Sequence, residues 1–217
     1  MKLLKPRFCD SEKNFITLLL KPFSIIYGYS ITLKRKITKK VKFNIPILCV
    51  GNIYVGGTGK TPLVIEIINE LRKLRRNPAL IKKYYKNHED EHELIKNKVD
   101  CLILSKNRRE SIKEIIKNNY DVVVLDDGFQ DFSIHKDLNI ICFNSEQLVG
   151  NNLTFPAGPL RESLHSINRA HLVIINGQKV ESFEKKLFSI SKNLEIYYSD
   201  YIPTNIDKFK DKKLLAF

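Results

Sequence analysis

The segment Cys49-Val50-Gly51-Asn52-Ile53-Tyr54-Val55-Gly56-Gly57-Thr58-Gly59-Lys60-Thr61-Pro62 constrains this chain more than any other stretch. An apolar run leads into it and an amphipathic pattern follows. It therefore predicts a turn from a strand into a helix, the setting of a Walker A phosphate loop. Glycines at 56, 57 and 59 let backbone N–H groups curl round an anion without Cβ obstruction. The helix N-terminus after Gly59 adds partial positive charge. In such a loop Lys60 reaches the β- and γ-phosphates and the Thr61 hydroxyl ligates Mg²⁺, while Pro62 is harmless in a first helical turn. The strict pattern has Gly where Tyr54 stands, but the strand, glycines, Lys-Thr and following helix all agree on nucleotide binding.

From residue 45 onward short apolar runs alternate with amphipathic stretches. Strands are expected at 45–50, 79–83, 99–104, 122–125, 138–143, 172–175 and 194–198, and helices at 60–74, 108–117 and 182–191. In the first of these helices Leu63, Val64, Ile67, Ile68, Leu71 and Leu74 share a face. The alternation specifies an α/β fold of P-loop NTPase type: a mostly parallel sheet with helices on both faces. A length of 217 residues suits one large domain, assigned to 44–217. Residues 212–217 read as a further strand on which the sequence stops, as a fragment would.

An N-terminal unit, 1–43, precedes that domain. Its apolar stretch from Phe15 to Leu33 turns basic through Lys34, Arg35, Lys36, Lys39, Lys40 and Lys42. Spanning a bilayer takes about 20 uninterrupted apolar residues, and Lys21-Pro22 divides this run into two shorter pieces. The pattern is that of an amphipathic helix with a polybasic flank, suited to an anionic membrane surface or to packing on the domain. The net charge of +13 fits acidic partners in general, and its clustering after the helix favours a membrane over nucleic acid. The four cysteines lie forty to fifty residues apart, too far for a zinc knuckle or redox pair. Cys49, Cys101 and Cys142 sit in apolar runs, as reduced core thiols do.

Two acidic segments carry further chemistry. Asp121-Val122-Val123-Val124-Leu125-Asp126-Asp127-Gly128-Phe129-Gln130 reads as a buried strand ending in two carboxylates. Acids at the carboxyl end of a parallel strand beside a phosphate loop hold Mg²⁺ or its waters. His88-Glu89-Asp90-Glu91-His92 matches the H-E-x-x-H zinc pattern, yet it lacks an apolar helical setting and a downstream third ligand. Its acids are better read as a base for a phosphate acceptor or as a polar helix start. Between Phe155 and Glu162 two prolines and a glycine fix a loop that delivers Arg161 to phosphate oxygens, a substrate anion or a nearby acid such as Glu162.

Gly51-Asn52 with Val-Gly-Gly-Thr-Gly-Lys-Thr-Pro, then Asp126-Asp127-Gly128-Phe129-Gln130, then Pro156-Ala157-Gly158-Pro159-Leu160-Arg161-Glu162 occur in that order. Together they resemble the tetraacyldisaccharide 4′-kinases of the lipid A pathway in Gram-negative bacteria. The resemblance implies transfer of the ATP γ-phosphate to the 4′-hydroxyl of an acylated glucosamine disaccharide 1-phosphate, forming lipid IVA, at the cytoplasmic face of the inner membrane. It implies that the N-terminal helix docks peripherally on that membrane. It also implies ATP binding by Tyr54, Val55, Gly56, Gly57, Thr58, Gly59, Lys60 and Thr61, and Mg²⁺ binding by Thr61, Glu91, Asp126 and Asp127. Lys60 and Asp90 take catalytic roles, with Asp90 as the base toward the 4′-hydroxyl, and Arg161 faces the substrate. Three departures stand out. The family's Ser-Arg-Gly-Tyr is Lys82-Lys83-Tyr84-Tyr85 here; the His after Gly-Phe-Gln is Asp131. The family also continues past the length of this sequence into a domain bearing a His that pairs with the catalytic Asp. A chain lacking it is expected to bind Mg·ATP but to turn over more slowly by roughly two orders of magnitude. A P-loop ATPase or GTPase of metallochaperone type is the alternative, without a clear Asn-Lys-x-Asp base-specificity motif to support it.

Overall fold

A computed structural model of the chain describes residues 6, 14–84, 89–96 and 98–200, and for Glu89, Asp90, Glu91 and Leu94 the backbone alone. The expected strand at 212–217, Tyr85, His88 and Cys9 lie outside these residues. Among the described residues seven strands form one parallel sheet: β1 (Ile47–Gly51), β2 (Pro78–Lys83), β3 (Leu102–Ser105), β4 (Val122–Asp126), β5 (Leu138–Asn144), β6 (Leu172–Asn176) and β7 (Glu195–Ser199). Their order is β3-β2-β4-β1-β5-β6-β7, and every pairing is parallel.

Strand alternation explains how one sheet supports two cores. On one face Val50, Leu80, Val124, Ile140 and Cys142 pack with Val64, Ile65 and Ile68 of helix α2 (Lys60–Lys73). Helix α3 (Glu89–Lys96) adds Ile95 to the same side. On the other face Cys49, Ile81, Val123, Leu125, Ile141 and Phe143 meet Ile112 and Ile115 of helix α4 (Arg108–Lys117) and Phe183 and Leu187 of helix α5 (Glu181–Ile190). Successive residues thus serve opposite cores, the period of two that a doubly covered strand requires. The Cys49 and Cys142 thiols are buried, and burial pushes them up to about 11 and about 12, so both remain protonated core groups.

Several expected boundaries move. β3 begins at Leu102 rather than 99, because Val99 closes the turn after α3 through its N–H to the Ile95 carbonyl. Leu74 lies past the end of α2 and is exposed, while Ile65 takes the buried place expected of that face.

The N-terminal stretch forms the helix expected of it, and Lys21-Pro22 does not divide that helix. Helix α1 (Phe15–Ile37) runs unbroken through Lys21-Pro22. A helical proline forfeits one N–H bond and crowds the preceding turn, but the flanking turns carry on. The result is 23 residues, long and apolar enough by length and composition alone to cross a membrane. Asn14 caps it by accepting the Ile16 N–H at 2.9 Å. Its inner side meets the body through Ser24, whose hydroxyl donates to the Thr154 carbonyl at 2.7 Å, and through Tyr27, edge-on to Phe155 at 5.7 Å. Beyond the helix, Val41 bridges Ile134, tying the basic segment to the sheet domain.

Candidate functional site

Because β4 lies beside β1 with Val50 opposite Asp126, the phosphate loop and the two acids emerge at the same end of adjacent strands. The chain turns toward β4, β2 and β3 on one side of β1 and toward β5, β6 and β7 on the other. Such a switch point is where open α/β sheets bind ligands.

The loop has the backbone that its glycines were expected to supply: φ is 143° at Gly56 and 78° at Gly59, which is also the N-cap of α2. Both values are costly for a side-chain-bearing residue. Two asparagines hold the loop. Asn52 Nδ2 donates to Thr58 Oγ1 at 3.0 Å, and Asn176 Nδ2, from the end of β6, donates to the Thr58 carbonyl at 2.5 Å. The Ser199 hydroxyl donates to Asn176 Oδ1 in turn. Tyr54 is buried and bridges Leu160, and the Val55 N–H donates to the Pro159 carbonyl at 2.8 Å. The residue occupying the usual glycine position therefore anchors the loop to the 155–162 segment. The cavity itself, about 540 Å³, is lined by Gly56 through Pro62 with Lys82, Lys83, Asp126, Asp127 and Arg161; Tyr54 and Val55 do not line it.

The charges in that cavity are paired in a specific way. Arg161 Nη1 donates to both Asp127 oxygens, at 2.9 and 2.8 Å, and Lys60 Nζ stands 3.7 Å from Asp127 Oδ1. Arg161 therefore turns to Asp127 rather than Glu162, which is held bidentately by Arg169 at 2.8 and 2.9 Å. Burial alone would raise the Asp127 carboxyl; Lys60, Arg161 and Arg108 outweigh it and hold the group below its ordinary 3.8. Asp126 is fully buried and accepts from Lys82 Nζ at 2.5 Å. Its other oxygen, Oδ1, has no hydrogen-bond partner among the described residues.

An orphaned buried carboxylate oxygen, in a cavity that Thr61 also lines, fits a divalent cation with oxygen ligands. Thr61 and Asp126 therefore suit the Mg²⁺ role expected of them. Asp127 would take it only by releasing Arg161 and Lys60. The side chains of Asp90 and Glu91 lie outside the described residues; their backbone forms the start of α3. His92 is buried and stacks on Tyr84 at 6.2 Å, and among the described residues no three His, Cys, Asp or Glu side chains group as metal ligands.

Arg108 is a site residue that the sequence did not single out. Its Nη2 donates to the carbonyls of Asp126 and Asp127 at 3.0 and 3.1 Å, bracing the acid-bearing turn from α4. Asp131, at the family's His position, accepts from the Ser133 N–H at 3.1 Å and hydroxyl at 2.6 Å and pairs with Arg108 at 3.5 Å. It is a structural acid of the turn.

A parallel sheet with a glycine-rich loop between β1 and α2, and an acid-tipped β4 at its side, defines a P-loop nucleotide-binding protein. The family model for tetraacyldisaccharide-1-P 4′-kinase matches residues 16–217, and the chain belongs to that family. It is 42% identical to a tetraacyldisaccharide 4′-kinase of Pelagibacter ubique over 224 residues, covering all of this chain and 70% of the relative. It is 34% identical over 193 residues to the one from Coxiella burnetii, covering 78% of this chain and 59% of that relative. In fold it is similar to LpxK from Aquifex aeolicus, solved in complex with ATP. That likeness has a TM-score of 0.65 and 19% identity, and covers 92% of this chain and 86% of that one.

Proposed function

We propose that this chain is an ATP-dependent kinase that phosphorylates the 4′-hydroxyl of a tetraacyldisaccharide 1-phosphate at a membrane surface. The observation that carries the reading is the cavity in which Lys60, Thr61 and Asp126 meet at the carboxyl ends of β1 and β4, in a chain with this family's sequence. The loop N–H groups from Gly56 to Thr61 take the ATP phosphates, and Lys60 supplies the fixed cation facing the terminal one. Thr61 and Asp126 would hold Mg²⁺, which when bound neutralises charge on the transferring phosphoryl group. Asp127 keeps Lys60 and Arg161 in place until phosphate oxygens compete for them. Asp90, at the start of α3, orients or deprotonates the acceptor hydroxyl, and Glu91 stands as an ion-site partner.

The acceptor enters from a second cavity of about 550 Å³ that shares Lys83, Asp127 and Arg161 with the first. Its lining also includes Lys34, Lys106, Arg108 and Arg109, a cationic environment suited to a sugar carrying phosphate. Lys34 belongs to α1, so this cavity lies between the nucleotide site and the helix. Along α1, Phe15, Leu19, Phe23, Ile26, Tyr29, Leu33 and Ile37 are all exposed. They recur every three or four residues, one apolar stripe beside the basic end formed by Lys34, Arg35 and Lys36. A stripe of this kind lies in the headgroup region of an anionic bilayer while Ser24 and Tyr27 hold the body beneath it.

ATP consumption with and without the acylated disaccharide in detergent micelles tests the reading. A kinase consumes ATP in proportion to acceptor and leaves it intact otherwise. Consumption indifferent to the lipid would favour a P-loop NTPase instead.

A further inference from the structure

Lys82 is an unusual residue to find in a phosphate-loop cavity. It stands directly across from Asp126 in the β2–β4 register. It follows Leu80 by two and Asp126 follows Val124 by two, so both side chains emerge on the face covered by α2, beneath the loop. Lysines are seldom this buried unless paired. Here the Nζ–Oδ2 distance of 2.5 Å satisfies both charges, with the lysine side chain 9% and the carboxylate 1% exposed. The remaining Asp126 oxygen lacks a hydrogen-bond partner among the described residues, and both side chains line the cavity of Lys60 and Thr61.

The charge inventory of that cavity sharpens the point. Lys60, Lys82, Lys83 and Arg161 face two acids, Asp126 and Asp127. Arg161 and Lys60 are engaged with Asp127. Lys82 is the ammonium on the one acid with an oxygen to spare.

We propose that Lys82 is a resident cation at the metal position. It holds the Asp126 carboxylate before Mg²⁺ arrives, so the divalent ion must compete with an ammonium rather than fill a bare acidic site. Two consequences follow from Coulomb interaction at this range in a buried setting. The protein without nucleotide binds divalent ions weakly, because the Lys82 ammonium already offsets the charge of Asp126. With nucleotide present, phosphate oxygens would supply the missing negative charge, so that Asp126 could hold the metal and the Lys82 ammonium could turn to the phosphates. Lys82 thereby makes metal binding conditional on nucleotide.

This inference rests on the reading of the cavity as a Mg·nucleotide site, and metal alone tests it. Mn²⁺ binding without nucleotide, followed by electron paramagnetic resonance, is compared between wild type, Lys82→Met and Lys82→Gln. Glutamine keeps a hydrogen bond to Asp126 and so preserves the fold if methionine does not. Removing the charge should tighten Mn²⁺ binding about ten-fold, and adding Asp126→Asn to either variant should abolish the gain. Melting temperature gives a second readout: the single variants should be stabilised by Mg²⁺ while wild type is indifferent. Mn²⁺ affinity equal to or weaker than wild type, or a gain that survives Asp126→Asn, overturns the proposal. An ATP titration of wild type run alongside separates the two failures, since absence of nucleotide binding counts against the kinase and not against Lys82.

Discussion

Lys60 and Thr61 were legible from a short pattern because a phosphate loop is local: glycines, cation and hydroxyl fall within six residues. Replacing Lys60 by Ala should weaken Mg·ATP binding by about ten-fold or more, since the terminal phosphate loses its fixed cation; an unchanged calorimetric titration would contradict this. The partners that hold the loop were not legible, because they come from far away in sequence. Asn176 reaches the Thr58 carbonyl across 118 positions, and its own place is set by Ser199 from β7. Asn176→Ala strips a buried carbonyl of its donor, a loss of about 1–3 kcal/mol measurable by urea unfolding, with weaker ATP binding in parallel. The Asp127–Arg161 pair gives a pH signature. A carboxylate held below 3.8 stabilises the fold fully above that value and loses its contribution as pH falls through the lower folded value. Arg161→Ala removes one of the lowering charges, so the acid-unfolding midpoint should move to higher pH. A midpoint that stays put would mean that the pair is not coupled to folding.

At the scale of elements, the strands and central helices were readable wherever one period persisted. α4 occupies the expected 108–117, and the seven strands expected between 45 and 198 all form within a few residues of their positions. The reading gave α1 as a helix but did not settle that its 23 residues run unbroken through Lys21-Pro22, where the cooperativity of the flanking turns outweighs one proline. It also left open how far the polar stretch around Asp90 is helical; α3 settles that as eight residues. The exposed stripe of α1 makes its own prediction. Phe23→Asp with Ile26→Asp places two charges where acyl chains should be, and sedimentation with anionic phospholipid vesicles should then fail while the melting temperature hardly moves. Equal sedimentation of the variant would assign that stripe to something other than lipid.

For the whole molecule, parallel α/β layering was implied by alternation, but strand order was not, since nothing local says that β4 rather than β2 lies beside β1. That one adjacency brings Asp126 level with Val50 and makes two sequence-distant motifs into a site. A cationic cavity then leads from this site to Lys34 of α1, one continuous path. The central claim is that a γ-phosphate travels along that path to a lipid-borne hydroxyl. It is tested most directly by incubating the protein with γ-³²P-labelled ATP, Mg²⁺ and tetraacyldisaccharide 1-phosphate in micelles, beside an acceptor lacking the 4′-hydroxyl. The account predicts label in the lipid product with the first acceptor, none with the second, and none when Lys60→Ala replaces wild type. Label released only as inorganic phosphate, or lipid labelled equally without the 4′-hydroxyl, would contradict it.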